Sequence, residues 1–253
     1  MAFILIIIIL GFIAGFASGL LGVGGGIIII PSFLYLLPLL GFKALSLNQI
    51  TGVAATQVFL GSLFACIEHR KYGLMDKSII LKAGITSGVG ALIGAIVSKY
   101  TPEIILLIIY FIILILSIIA LTLSKEKNSQ GQIKTGFAIF LIFFAGIMSG
   151  ALGLGGAVMY IPILTHFHGL PLKTGISNVT FIVLFTAMAA FLGKAATNQI
   201  PFHYLIFIII GAFAGAKLGA KTNNKLPSRV LRIILLTIIV ATAIRVAFSI
   251  LYY

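Results

Sequence analysis

Ten apolar segments follow one another along the chain, at residues 2–20, 27–40, 46–67, 78–99, 103–123, 135–152, 157–168, 174–193, 203–222 and 229–251. A helix of about 20 apolar residues crosses the roughly 30 Å of hydrocarbon in a bilayer. Of the 253 residues, 61% are hydrophobic and only 8% are charged, more apolar surface than a water-soluble core needs. The pattern predicts an all-α integral membrane protein. No Lys or Arg precedes the first run, which leads straight into a glycine-rich stretch, so it reads as a helix and not as a signal peptide. The second and seventh segments would be about 21 and 18 Å long as helices, too short to span. Each carries a proline, Pro31 or Pro162, and both read as half-helices or re-entrant pieces.

A glycine element precedes each short segment. The first is Gly15-Phe16-Ala17-Ser18-Gly19-Leu20-Leu21-Gly22-Val23-Gly24-Gly25-Gly26, the second Gly146-Ile147-Met148-Ser149-Gly150-Ala151-Leu152-Gly153-Leu154-Gly155-Gly156. Ser149 follows Ser18 by 131 residues, and Gly153, Gly155, Gly156 and Pro162 follow Gly22, Gly24, Gly25 and Pro31 by the same separation. Glycine is costly inside a helix and cheap where backbone turns, so the chain is built twice around a deliberate break. The repeat extends further. Lys173 and Asn178 follow Lys43 and Asn48 by 130, while Gly215-Ala216, Gly219-Ala220 and Pro227 follow Gly90-Ala91, Gly94-Ala95 and Pro102 by 125. The falling separation implies shorter loops in the second half. A polar stretch from Ser124 divides the chain into a first repeat (1–123), a linker (124–134) and a second repeat (135–253).

The net charge is +13. Its basic residues lie mostly in short connections, which points to membrane topology and not to nucleic acid. Thirteen of the 17 basic residues fall on odd-numbered connections; only Lys43, Lys99, Lys194 and Arg245 fall on the even ones and the C-terminal end. Odd connections, including the linker, are therefore expected in the cytoplasm and both termini outside. Five segments per half then demand repeats of inverted topology, a recurring transporter plan with substrate near the midplane where half-helix ends converge. Cys66 is the only cysteine, so neither an internal disulfide nor a cysteine metal cluster is expected.

Backbone N–H groups and the positive dipole end at a helix start favour an anion. The candidate site is therefore Ser18, Gly22, Gly24 and Gly25 with Ser149, Gly153, Gly155 and Gly156. Polar residues early in the third and eighth segments join it: Asn48, Gln49 and Thr51, then Ser177, Asn178 and Thr180. Neutral amides and hydroxyls are good donors to an oxyanion. They serve equally as interhelical hydrogen bonds or helix caps, and the glycines serve equally in close packing. Gln57 lies deeper in the same segment; Lys217 and Arg245 sit near enough to helix ends to snorkel. Glu68, His69, Arg70, Lys71 and Asp76 read as a solvated loop, and His166 and His168, two apart, do not share a helix face. No metal site, cofactor or catalytic constellation is expected.

The first glycine element with Pro31, its second copy through Pro162, and the loop Arg70-Lys71-Tyr72-Gly73-Leu74-Met75-Asp76 together resemble the TauE/SafE family of sulfite-exporter-type permeases, over essentially the whole chain. That resemblance implies a cytoplasmic-membrane protein moving small sulfur oxyanions or organosulfonates. Members often carry Thr-Ser where this chain has Leu47-Asn48 and Ser177-Asn178. The expectation is thus a secondary transporter of small anions working by alternating access, with a proton or sodium as coupling ion. The alternative is a channel or scaffold subunit whose glycine hairpins only pack helices.

Overall fold

The computed structural model describes residues 2–22, 24–42, 44–70, 76–123, 135–167, 172–202, 205–223 and 225–251. Its regular structure is helical: α1 (Ala2–Leu21), α2 (Gly26–Leu39), α3 (Leu47–His69), α4 (Lys77–Val97), α5 (Glu103–Leu123), α6 (Thr135–Leu152), α7 (Ala157–Phe167), α8 (Leu172–Ala196), α9 (Leu205–Asn223) and α10 (Ser228–Leu251). Seven of these helices are long and apolar enough to cross a membrane, and α2 is not. At 11 residues α7 is shorter still, about 17 Å. Pro31 withholds an N–H from α2, and the following turn, Ser32–Leu36, widens to a π-helix. The linker, Lys71 and His168 lie outside the described residues, as does the side chain of His166.

Packing follows the repeat. The first helix of each half lies against the fourth helix of the other, α1 on α9 and α6 on α4. Each seam is lined by small residues that bring backbones into direct contact. A Cβ on Gly15 would collide with the Ala212 carbonyl, and one on Gly150 with that of Ala91. Lipid supplies no hydrophobic drive between helices, so this close van der Waals contact holds the halves together. The third helices, α3 and α8, pack on each other in opposite directions: Thr51 meets Lys194 at one end, and Cys66 meets Thr180 towards the other.

The contacts also correct the register between the halves. Gly22 abuts Ile176 and Thr180, while Gly153 abuts Thr51 and Ala55. Those partners are separated by 125 residues, not by the 130 that pairs Asn48 with Asn178, and α3 and α8 themselves begin 125 residues apart. The second half is therefore shortened in one step, across the end of the half-helix and the connection after it. Asn48 and Asn178 are alike in type but not in place.

Candidate functional site

The two glycine elements meet. A Cβ on Gly26 would lie 3.1 Å from the Gly153 carbonyl oxygen and 3.2 Å from Leu154 Cα. Gly22, Gly24 and Gly25 have φ of 67°, 79° and 69°, and Gly153, Gly155 and Gly156 have 68°, 77° and 80°. This left-handed backbone turns the chain from α1 into α2 and from α6 into α7. The starts of both short helices thereby point at one place. Gly24 and Gly155 both rest on Val58 and Val183, which stand halfway along α3 and α8. Two positive helix ends thus converge at the middle of the long helices.

The polar groups at this junction differ between the halves. Ser18 and Gln57 are buried, and neither the Ser18 hydroxyl nor either atom of the Gln57 amide has a hydrogen-bond partner. Both flank the notch left by Gly61: its Cβ would lie 3.2 Å from Gln57 Nε2 and 3.3 Å from Ser18 Oγ. A Cβ on Gly25 would meet the same amide at 2.7 Å. In the second half Gly156 faces the Tyr160 ring, and Thr186 stands 125 residues after Gly61. There the polar groups are satisfied: Thr186 Oγ1 lies 2.7 Å from Ser87 Oγ and 3.4 Å from the Tyr160 hydroxyl. Among the described residues of that half, Ser149 alone has a buried side-chain polar atom without a partner. Buried polar groups normally find partners, so an amide unpartnered at both ends is the exception that singles out this junction as the candidate site.

Several predicted residues serve elsewhere. Gln49 is exposed and closes a capping box with Ser46 at the start of α3. Asn48, half-buried with an unpartnered Oδ1, sits in the same first turn. Asn178 accepts from the Asp76 backbone N–H (2.8 Å) and donates to the Thr174 carbonyl (2.8 Å), bracing the entry to α4. Since α3 and α8 are antiparallel, Asn48 and Asn178 lie at opposite ends of the pair and do not share a site. Ser177 is buried, and Thr180 donates to the Ile176 carbonyl (2.8 Å) beside Gly22. Lys217 is exposed on α9, and Arg245 lies over the Tyr35 ring, 4.5 Å from its centroid.

Three groups read as solvated are not. Glu68 and His69 are buried, and His69 Nε2 donates to the Gly19 carbonyl (3.1 Å) in α1. Lys194, assigned to a loop, is fully buried in the last turn of α8. Its Nζ donates to Thr51 Oγ1 (2.9 Å), Ser98 Oγ (3.0 Å) and Gln199 Oε1 (3.0 Å). The signal was present: the separation of 125 seen in α4 and α9, carried back to α3, sets Lys194 opposite His69 at the end of an apolar helix. The hydroxyl of Thr51, predicted as a site residue, is engaged here, while its backbone carbonyl abuts Gly153 of the second glycine element.

Among the described residues no cluster of His, Cys, Asp or Glu is arranged to hold a metal. A cavity of about 210 Å³, lined in part by Asp76, Ser78, Lys82 and Leu164, opens beside the start of α4. A largely apolar groove of about 380 Å³ runs between α5, α6 and α7.

The family profile described as sulfite exporter TauE/SafE matches residues 7–246. The chain is 26% identical over 233 residues to the probable membrane transporter protein YunE of Bacillus subtilis, covering 84% of this chain and 85% of that protein. It is 27% identical over 208 residues to the probable membrane transporter protein MJ0441 of Methanocaldococcus jannaschii, covering 79% and 76%. A probable membrane transporter protein of Haemophilus influenzae is 24% identical over 220 residues, covering 84% and 83%. No solved structure matches the chain significantly.

Proposed function

We propose that this chain, which belongs to the sulfite exporter TauE/SafE family, is a secondary transporter in the cell membrane whose cargo is a small sulfur oxyanion or organosulfonate. The observation that carries the reading is the unpartnered Gln57 amide beside the unpartnered Ser18 hydroxyl, buried where two helix starts converge. The amide N–H and the hydroxyl supply neutral donors, and the helix dipoles supply positive potential. Such a site holds an anion without a fixed cation and so without the tightness that slows release.

Alternating access fits the same geometry. Equivalent helices α3 and α8 run in opposite directions and cross the junction at Val58 and Val183, so rocking one half against the other opens it towards alternate sides. A scaffold subunit whose glycine hairpins only pack helices does not call for an unpartnered amide between them. The deciding experiment is thermal unfolding of the purified protein with sulfite, thiosulfate, sulfate and methanesulfonate in turn. At least one is expected to stabilise the wild type; no shift with any of the four would remove the transporter-site reading.

The orientation follows from the thirteen-to-four distribution of basic residues: linker in the cytoplasm, termini outside. A cysteine placed at Asn128 is expected to resist impermeant maleimide added to intact cells and to react once the membrane is opened. Efficient labelling in intact cells would reverse the assignment.

A further inference from the structure

We propose that Lys194 is a second anion-binding point and the gate at the end of the α3–α8 pair remote from the Asp76 turn; this rests on the reading of the chain as an anion transporter. The hydrogen-bond geometry accommodates the charged form. The Thr51 hydroxyl donates to the Asn48 carbonyl (2.9 Å) and the Ser98 hydroxyl to the Ala95 carbonyl (2.8 Å), so both turn lone pairs towards Nζ. The Gln199 amide nitrogen donates to the Ala95 carbonyl (3.0 Å) and to Thr197 Oγ1 (2.7 Å), which leaves only its oxygen for the lysine. Three oxygens therefore surround Nζ, one for each proton of an ammonium.

All three partners are neutral, and among the described residues no carboxylate is paired with Lys194. Glu103, the acidic residue at this end, accepts instead from the Leu47 backbone N–H (2.9 Å). An ammonium buried in a membrane helix without a counter-ion is expensive, and a neutral side chain would tie the same elements together without that cost. A cation held there without a counter-ion is available to an anion.

That use follows from which elements the lysine joins. It fastens α8 to α3 through Thr51, to the end of α4 through Ser98, and to the connection carrying Gln199, which packs over Gly52. Both α3 and α8 run from here to the glycine junction; Val183 is 11 residues from Lys194, about 16 Å along the helix. Any movement that parts α3 from α8 breaks the Thr51 bond and frees one ammonium proton towards the path from the junction. An anion leaving the centre takes the place of Thr51 on that proton. The group 125 residues earlier, His69, is not held by side-chain oxygens but donates to the Gly19 carbonyl. The two equivalent positions are thus chemically distinct, a buried lysine at one end of the α3–α8 pair and a buried histidine at the other.

The test is uptake of radiolabelled sulfite, thiosulfate, sulfate and methanesulfonate, supplied singly, by vesicles carrying the purified protein. Lys194→Met is expected to raise the KM of the transported anion at least tenfold, and Lys194→Arg to restore most of the loss. Thr51→Val removes a competing acceptor and is expected to lower that KM several-fold, whereas a purely structural tie predicts lower thermal stability with KM unchanged. An unchanged KM in Lys194→Met overturns the gate while leaving the transporter standing. If that variant is not recovered from membranes, Thr51→Val decides by the same criterion. Wild-type vesicles that take up none of the four anions overturn both readings.

Discussion

Replacing Gln57 by leucine is expected to weaken anion transport at least tenfold and, at the same time, to make the protein more stable. The two effects pull apart because the amide is buried with both polar atoms unpartnered. Leaving such a group without hydrogen bonds costs about 1–3 kcal/mol, and a leucine of similar size avoids that cost. A hydrogen bond from this amide to a charged oxyanion is worth about 1.5–3 kcal/mol, so losing it weakens binding by roughly ten- to a hundredfold. A residue that merely packed the core would show the opposite sign, losing stability on substitution. The measurements are thermal unfolding without ligand and uptake into vesicles. Wild-type uptake by Gln57→Leu would remove the amide from the site. A variant less stable than the wild type would show that Gln57 contributes to packing after all. Ser18→Ala, which deletes one of the neighbouring donors, is expected to weaken uptake in the same direction by less.

The second large effect belongs to the glycine junction. In Gly155→Ala the new Cβ would lie 2.5 Å from Val58 Cγ1 and 2.8 Å from Val183 Cγ1, at a φ of 77°. The left-handed backbone alone costs an L-residue about 1–2 kcal/mol, and the collision adds to it by pushing the midpoints of α3 and α8 apart. Uptake should fall at least tenfold, and Gly24→Ala should behave alike, since its Cβ would lie 2.6 Å from the same Val58 methyl. Gly41 supplies the control: its φ is 82°, but nothing stands within 4 Å of its Cβ position. Gly41→Ala should therefore pay the backbone strain and keep its uptake. Shortening the obstacle in the double variant Gly155→Ala/Val58→Ala should return part of the lost activity. If Gly155→Ala transported as well as Gly41→Ala, the junction would be a turn and nothing more.

Helix number and length were legible in the sequence because apolarity is written residue by residue, and each of the ten apolar runs became a helix with ends shifted by a few residues. The brevity of α2 and α7 was legible too, as were the glycine breaks before them, because glycine clusters and proline act on the local backbone whatever surrounds them. The pairing of polar groups was not. Asn48 and Asn178 matched in type and near-equal spacing, yet one lies in the first turn of α3 and the other holds the entry to α4. Gln57, a lesser candidate in the sequence, became central because its amide lies against Gly25 and Gly61 beside Ser18 without a hydrogen-bond partner.

In the sequence Lys194 counted as a residue of the eighth connection, since a lysine at the end of an apolar run ordinarily reaches water. Here Ser98 and Gln199 close over it, from elements about 100 residues before it and five residues after it. Its burial depends on how α3, α4 and α8 are set against one another. That register is fixed where glycine in one helix meets backbone in another, as Gly150 meets Ala91 and Gly15 meets Ala212. Composition decides that these helices lie in lipid; the depth at which each pair locks decides which amide is left without a partner and which charge is shut inside. Contacts between residues so far apart in sequence exist only once the helices have packed.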